Sequence, residues 1–291
     1  MTTTTSTYLS IEKNLAHYQK MVASEPAVKN ATAYYAANIG KVSSVSGLVN
    51  NYRLLSYALT AYGLGDQVNN KALVTKVLEG GTTSSKALAN TLSNPNWKTF
   101  AKAFSYLTSS TAASSETISA AATTTESDYT EQELETQEGK QDVGVQLALY
   151  FKRVAPTISS SMGILGDENL LEAFQTIFGI KLNTDASVDT NAAIVSKLMP
   201  MSDLTNSKKL NQLVERFTAQ YTVLYSSGGQ DASSPLEVYN SGTTTTSSSL
   251  DAATSIMSGI VSGNSSYSGS STTESLSSVL LSSLQSLSLG G

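Results

Sequence analysis

An all-α fold is predicted by three features of the sequence. Apolar residues recur at helical spacing, no segment sustains a strand's alternation of β-branched and polar residues, and one helical pattern occurs twice. The expected architecture is two related helical units from an internal duplication, joined by a Ser/Thr/Glu-rich linker, with terminal amphipathic helices. Residues 1–24 form the N-terminal helix, 25–108 the first unit, 109–138 the linker and 139–226 the second unit. Residues 227–291 form a Ser/Thr-rich tail with a short C-terminal amphipathic helix.

Each element has its own signal. Ile11, Leu15, Tyr18 and Val22 step by 4, 3 and 4, which puts them on one helical stripe. Pro26 fits the first turn of the next helix, where its missing N–H costs nothing. Val45, Leu48, Tyr52, Leu55, Leu59 and Tyr62 form a further stripe that Gly63 stops. Asn69 or Asn70 can cap a short helix carrying Leu73, Val74, Val77 and Leu78, which ends at Gly80-Gly81. Asn94-Pro95 starts another, with Trp97, Phe100, Phe104 and Leu107 inward.

From Ser109 the chain loses its large apolar residues, which predicts a linker without a core of its own. Thr130 and Glu133 have capping-box spacing and predict a helix from there toward Arg153, supported by Val143, Leu147, Tyr150, Phe151 and Val154. Beyond it the chain repeats itself at an offset of 116. Ser43/Ser159, Ser44/Ser160, Gly47/Gly163, Leu54/Leu170, Leu55/Leu171, Thr60/Thr176 and Gly63/Gly179 are identical in one ungapped register. After a short insertion, Ala72–Lys76 matches Ala193–Lys197, and Phe100 and Phe104 match Leu213 and Phe217. Such units bury their apolar faces on each other. Residues 241–291 are about half Ser and Thr, interrupted by Ile256, Met257, Ile260 and Val261 and by Leu276, Val279, Leu280, Leu284 and Leu287.

Composition narrows the chemistry. The 291 residues include no Cys and one His, so disulfides, thiolate metal sites and Cys nucleophiles are excluded and the usual general base is nearly absent. With a net charge of −5 and only Arg53, Arg153 and Arg216 as arginines, no clustered cation is present to hold nucleic acid. No run reaches the 18 apolar residues of a membrane span, and MTTTTSTYLSIEKNLAHYQKM lacks the basic region and apolar run of a Sec signal. No membrane insertion, Sec export, cofactor, metal or catalytic residue is expected.

The remaining motifs have ordinary explanations. His17 lies off the N-terminal stripe and reads as a surface residue. Gly63-Leu-Gly65 follows a helix and lacks a third glycine, so it is a helix cap and not a dinucleotide loop. Asn183 to Asn191 offers an oxygen at every second position, but without the glycine and bidentate glutamate of a calcium loop it reads as a solvated loop. The acidic run Glu131–Glu138 has no facing carboxylate, and the 14 tyrosines at helical spacing read as packing. The terminal stripes, Ile11, Leu15, Tyr18 and Val22 with Leu276, Val279, Leu280, Leu284 and Leu287, form the candidate assembly interface. They either dock on the protein's own core or pack between molecules as coiled coil.

Tyr8–Leu15, Val42–Leu64, Lys76–Gly80, Ser85–Ser93 and Trp97–Phe104 resemble the DUF1217 family, most closely over residues 8–107 and more loosely to about 225. That uncharacterised α-helical family of alphaproteobacteria is commonly encoded among flagellar genes and transfers no catalytic residue. The resemblance implies a genomic association with flagellar assembly, and together with the composition it gives the expectation of a structural or assembly protein of the bacterial flagellum. Absence of Cys and abundant Ser and Thr are common among flagellar axial proteins, which are exported unfolded by the type III route. The expected partners are further copies of the chain or other axial subunits, with the protein extracellular after export. The alternative is a cytoplasmic helper or regulator that holds a flagellar subunit through apolar stripes.

Overall fold

The computed structural model describes residues 3–109 and 113–226. Over them the chain forms fifteen α-helices and three short 3-10 helices, with no strand among the described residues, as the helical spacing predicts. These residues all belong to one compact unit, within residues 1–242.

Two helices open the chain, α1 (Thr4–Lys13) and α2 (Leu15–Ser24). The expected single helix breaks at Asn14, whose side-chain amide donates to the Ser10 carbonyl at 3.0 Å. Its backbone N–H turns to Ile11 instead of closing an α-helical bond to Ser10. Then come α3 (Pro26–Ile39), α4 (Val45–Asn50), α5 (Tyr52–Ala61), α6 (Lys71–Gly80), α7 (Leu88–Thr91) and α8 (Asn96–Ala103). Pro26 occupies the first turn of α3. The stripe from Val45 to Tyr62 is likewise two helices, because the Asn51 side chain accepts from Leu54 N–H and starts α5 afresh. At the end of α5, Gly63 takes φ +68°, its N–H reaches Thr60 and the Leu64 N–H reaches Leu59. That 5→2 and 6→1 pattern is a Schellman cap.

The polar stretch after Ser109 departs furthest from expectation. Instead of a linker over 109–138, it forms α9 (Ser115–Gly139), 25 residues and roughly 37 Å long. Ser114 caps it by accepting from Thr117 N–H. Thr130 lies inside the helix and donates to the Glu126 carbonyl, so the expected start at Thr130 is not a start. The helix expected from there to Arg153 instead breaks after Gly139. Asp142 accepts from the Gly144 and Val145 N–H groups and begins α10 (Val143–Val154). The sequence of α9 is polar on all sides, yet its position between two apolar faces makes a helix worthwhile. It buries Thr125, Leu134 and Glu135, and Thr123, Thr124, Thr125, Thr130 and Thr136 turn their hydroxyls back to carbonyls four residues earlier.

The chain closes with α11 (Ser161–Leu165), α12 (Glu168–Phe178), α13 (Val188–Leu198), α14 (Met201–Thr205) and α15 (Ser207–Ser226). Two cores result. One is built on Tyr35, Leu48, Leu54, Leu55, Leu59, Val74, Val77, Phe100 and Phe104, and the other on Val145, Phe151, Ile164, Leu170, Phe174, Ile177, Val195, Val214 and Phe217. Tyr129 of α9 packs against both. Its ring stacks on Tyr57 at 3.9 Å, and Tyr57 stacks on Tyr35 at 4.4 Å. These three tyrosines serve as packing, and α9 is the common wall of the two cores.

Candidate functional site

The groups with the most unusual chemistry meet where the two cores join. At the start of α8, Asn94 Oδ1 accepts from Asn96 N–H and fixes that turn. Asn96, itself buried, donates Nδ2 to the Tyr150 hydroxyl at 3.0 Å. That hydroxyl donates to Asp167 Oδ2 at 2.6 Å, and Asp167 Oδ1 accepts from Leu170 N–H to cap α12. One chain of hydrogen bonds therefore runs from the first core to a helix start in the second. Burial, with the Asp167 carboxylate next, pushes the Tyr150 phenol above its ordinary range. It stays protonated and acts as a donor.

Beside it lies an ion pair. Arg153 Nε and Nη2 hold the two Glu135 oxygens at 2.6 and 2.8 Å, and Nη2 also reaches Gln132 Oε1 at 2.9 Å. Burial pushes the Glu135 carboxyl up while the guanidinium pulls it down. The bidentate fork is the geometry of the ionised pair. The Arg153 guanidinium stands 5.4 Å from the Tyr150 ring centroid. A cleft of about 390 Å³ opens alongside, lined by Gly63, Gln132, Gln146, Tyr150, Asp167, Glu168 and Asn169 among others. Asn96, Tyr150 and Asp167 are joined in one hydrogen-bonded chain, and Arg153 and Glu135 in an ion pair beside it. The Asn96–Tyr150–Asp167 chain ties the two halves together.

A second arrangement of this kind lies in the first half. Asn51 Nδ2 donates to the Tyr34 hydroxyl at 3.3 Å, Asn51 caps α5, and the Arg53 guanidinium covers the Tyr34 ring at 3.7 Å. There the group stands at the surface, with Tyr34 and Asn51 half-buried and Arg53 exposed.

The residues expected to form an assembly interface divide. Ile11 and Val22 are buried in the second core, and Leu15 and Tyr18 are half-buried against it. Leu276, Val279, Leu280, Leu284 and Leu287 lie outside the described residues. His17 is exposed. In the loop after α12, Asn183 Oδ1 accepts from Asp185 N–H and Ser187 caps α13, so those oxygens serve the turn and the helix start. Among the described residues no three His, Cys, Asp or Glu side chains are grouped to hold a metal. No described helix is long and apolar enough to cross a membrane. Sequence spacing put Tyr150 on an apolar helical face but did not bring it together with Asn96, Asp167, Arg153 or Glu135 as a site. The available signal was the 116-residue register, which pairs Tyr34 with Tyr150 and Asn51 with Asp167.

A family profile described as a protein of unknown function (DUF1217) matches residues 61–210, just over half of the chain. The chain belongs to the DUF1217 family. A crystal structure of a protein from Agrobacterium tumefaciens is 34% identical, covers 74% of this chain and 91% of its own, and superposes with a TM-score of 0.67. No curated protein matches. The DUF1217 match takes in α9 and the whole Asn96–Tyr150–Asp167 junction but begins after Tyr34 and Asn51.

Proposed function

We propose that this DUF1217 protein is a structural or assembly protein of the bacterial flagellum, acting by association and not by catalysis. The observation that supports association is how its first described helix packs. Helix α1 lies along α15, with Thr5 and Thr222 hydroxyls 3.4 Å apart and Tyr8, Ile11 and Tyr221 in one core. The first described helix and the last described one share one face, while the expected C-terminal stripe, Leu276 to Leu287, lies outside the described residues. Support for the flagellum comes from the resemblance to a family encoded among flagellar genes and from the Cys-free, Ser/Thr-rich composition. Fractionation tests this reading: the protein is expected in sheared filaments or in hook–basal bodies. Its absence from both would overturn a structural role.

One observation favours the cytoplasmic helper as second reading. Met162 of α11 and Val188 and Ile194 of α13 are exposed on two helices that pack together, which offers an apolar surface to a subunit. Under that reading the protein stays in the cell pellet and co-purifies with one flagellar subunit.

We also infer that the two cores derive from one duplicated helical unit. Support comes from matched caps at an offset of 116. Asn51 accepts from Leu54 N–H as Asp167 does from Leu170 N–H. Gly179 takes φ +63°, its N–H reaches Thr176, and Ile180 N–H reaches Gln175, the same Schellman cap as at Gly63. A crystal structure in which residues 26–64 failed to superpose on 142–180 would remove this inference.

A further inference from the structure

We propose that residues 4–24 are an exchangeable arm, and that the seat they occupy on the second core takes the same segment of a second copy of this chain. The proposal deepens the assembly reading and rests on it for its purpose.

The arm leaves the half it is joined to. Tyr8, Ile11 and Val22 enter a core that, apart from Val28 of α3, is formed by residues far along the chain, from Leu134 onward. Its polar contacts follow the same path. Thr4 Oγ1 donates to Asp142 Oδ2 at 2.8 Å, Gln19 Nε2 donates to Glu131 Oε1 at 2.9 Å, and Glu12 pairs with Lys152. A Cβ at Gly144 would overlap the Tyr221 ring of α15 and come within 2.7 Å of Thr4 Cγ2, so this glycine makes room for α15 and α1 together on α10.

A single residue joins the arm to the rest. Glu25 is extended at φ −62° and ψ 137° between α2 and α3. The following Pro26 keeps it from turning helical, so α2 and α3 cannot merge into one helix. Rotation at this residue swings the arm away as a unit. Every contact it makes with its seat is the same whether the seat belongs to its own chain or to another. Linker span and local concentration then set the balance between the two, and a one-residue hinge gives the arm little slack for returning to its own seat. Exchange in one direction gives an open chain of molecules, and reciprocal exchange closes a dimer.

The sequence has no Cys, so introduced thiols are unique. Full-length T5C and a mass-tagged full-length T222C are refolded together from urea and oxidised. The expected product is a disulfide between the two chains, at least tenfold above that formed by T5C with itself. Q19C mixed with E131C reads the other end of the arm should the first pair impair folding. Inserting four Gly/Ser residues after Ser24 is expected to lower the inter-chain product severalfold by easing the return of the arm to its own seat. Cross-links confined to one chain in the double variant T5C/T222C, with no inter-chain product from either mixture, would overturn the proposal. Such a result leaves the assembly reading intact if the protein is still found in flagellar fractions. Exchange in a protein absent from those fractions would overturn the flagellar reading alone.

Discussion

Gly166 lies directly against the backbone of Ser93. A Cβ at Gly166 would overlap the Ser93 carbonyl and sit 2.9 Å from its Cα. The contact brings the loop before α8 onto the turn between α11 and α12, beside the Asn96–Tyr150–Asp167 chain. Asn50 holds the same place in the 116-residue register and is exposed, so the close approach belongs to one half alone.

Gly166→Ala is therefore expected to destabilise the protein by about 2–3 kcal/mol, the upper end of overpacking costs, because the obstructing atoms are backbone and cannot rotate aside. Gly40→Ala, with nothing within 4 Å of the added Cβ, serves as control and should be near neutral. Urea midpoints of the two variants check this.

Tyr150→Phe removes the hydroxyl that joins Asn96 to Asp167 and leaves both buried groups short of a partner. The expected cost is about 1–3 kcal/mol. Tyr34→Phe removes the corresponding hydroxyl at the surface, where water replaces it, and should cost less than about 0.5 kcal/mol. Equal losses in thermal unfolding would contradict the difference in burial described here.

Arg153→Met strands Glu135, which is 2% exposed, inside the junction. A loss of about 3–5 kcal/mol is expected, with most of it recovered in the double variant Arg153→Met/Glu135→Leu, which removes both charges. Recovery is the informative result. If the double variant is no more stable than the single, the cost lies in lost packing and not in the stranded carboxylate.

Glu172 has a buried Oε1 without a hydrogen-bond partner, and burial, with Glu168 one turn away, pushes its carboxyl from 4.5 to about 7. Since the folded value exceeds the unfolded one, the native state holds the proton more tightly. Stability is then highest below 4.5 and falls as pH rises through 7. Glu172→Gln should exceed the parent by about 1–2 kcal/mol at pH 8, allowing for partial exposure, and match it at pH 4. Asp128, raised by burial to about 6, leaves a smaller fall of the same sign in the variant. Denaturation midpoints at pH 4, 6 and 8 give the comparison.

Much of the helical content was legible residue by residue. Pro26, Gly63, Gly80-Gly81 and Asn94-Pro95 punctuate helices where local chemistry demands it, and the inward positions of Trp97, Phe100 and Phe104 follow from their spacing. Asn14 and Asn51 were not legible as breaks. An unbroken apolar stripe passes across each, and only side-chain hydrogen bonds to nearby backbone interrupt the helix there. The junction was hidden for a different reason. Asn96, Tyr150, Asp167, Arg153 and Glu135 come from four helices or their caps and have no common spacing.

By itself the sequence determined an all-α chain without thiols, with helix ends written into its Pro and Gly residues and a pattern that recurs after 116 positions. Those features depend on local sterics and on periodicity, both carried by neighbours in the chain. Only the tertiary structure decided that the polar stretch from Ser115 to Gly139 is a helix, and that Ile11 and Val22 are buried on the far half. A polar helix gains little from its own residues and is stabilised by the two cores it separates. A short apolar stripe likewise docks wherever a complementary face exists, and nothing in its own spacing names that face.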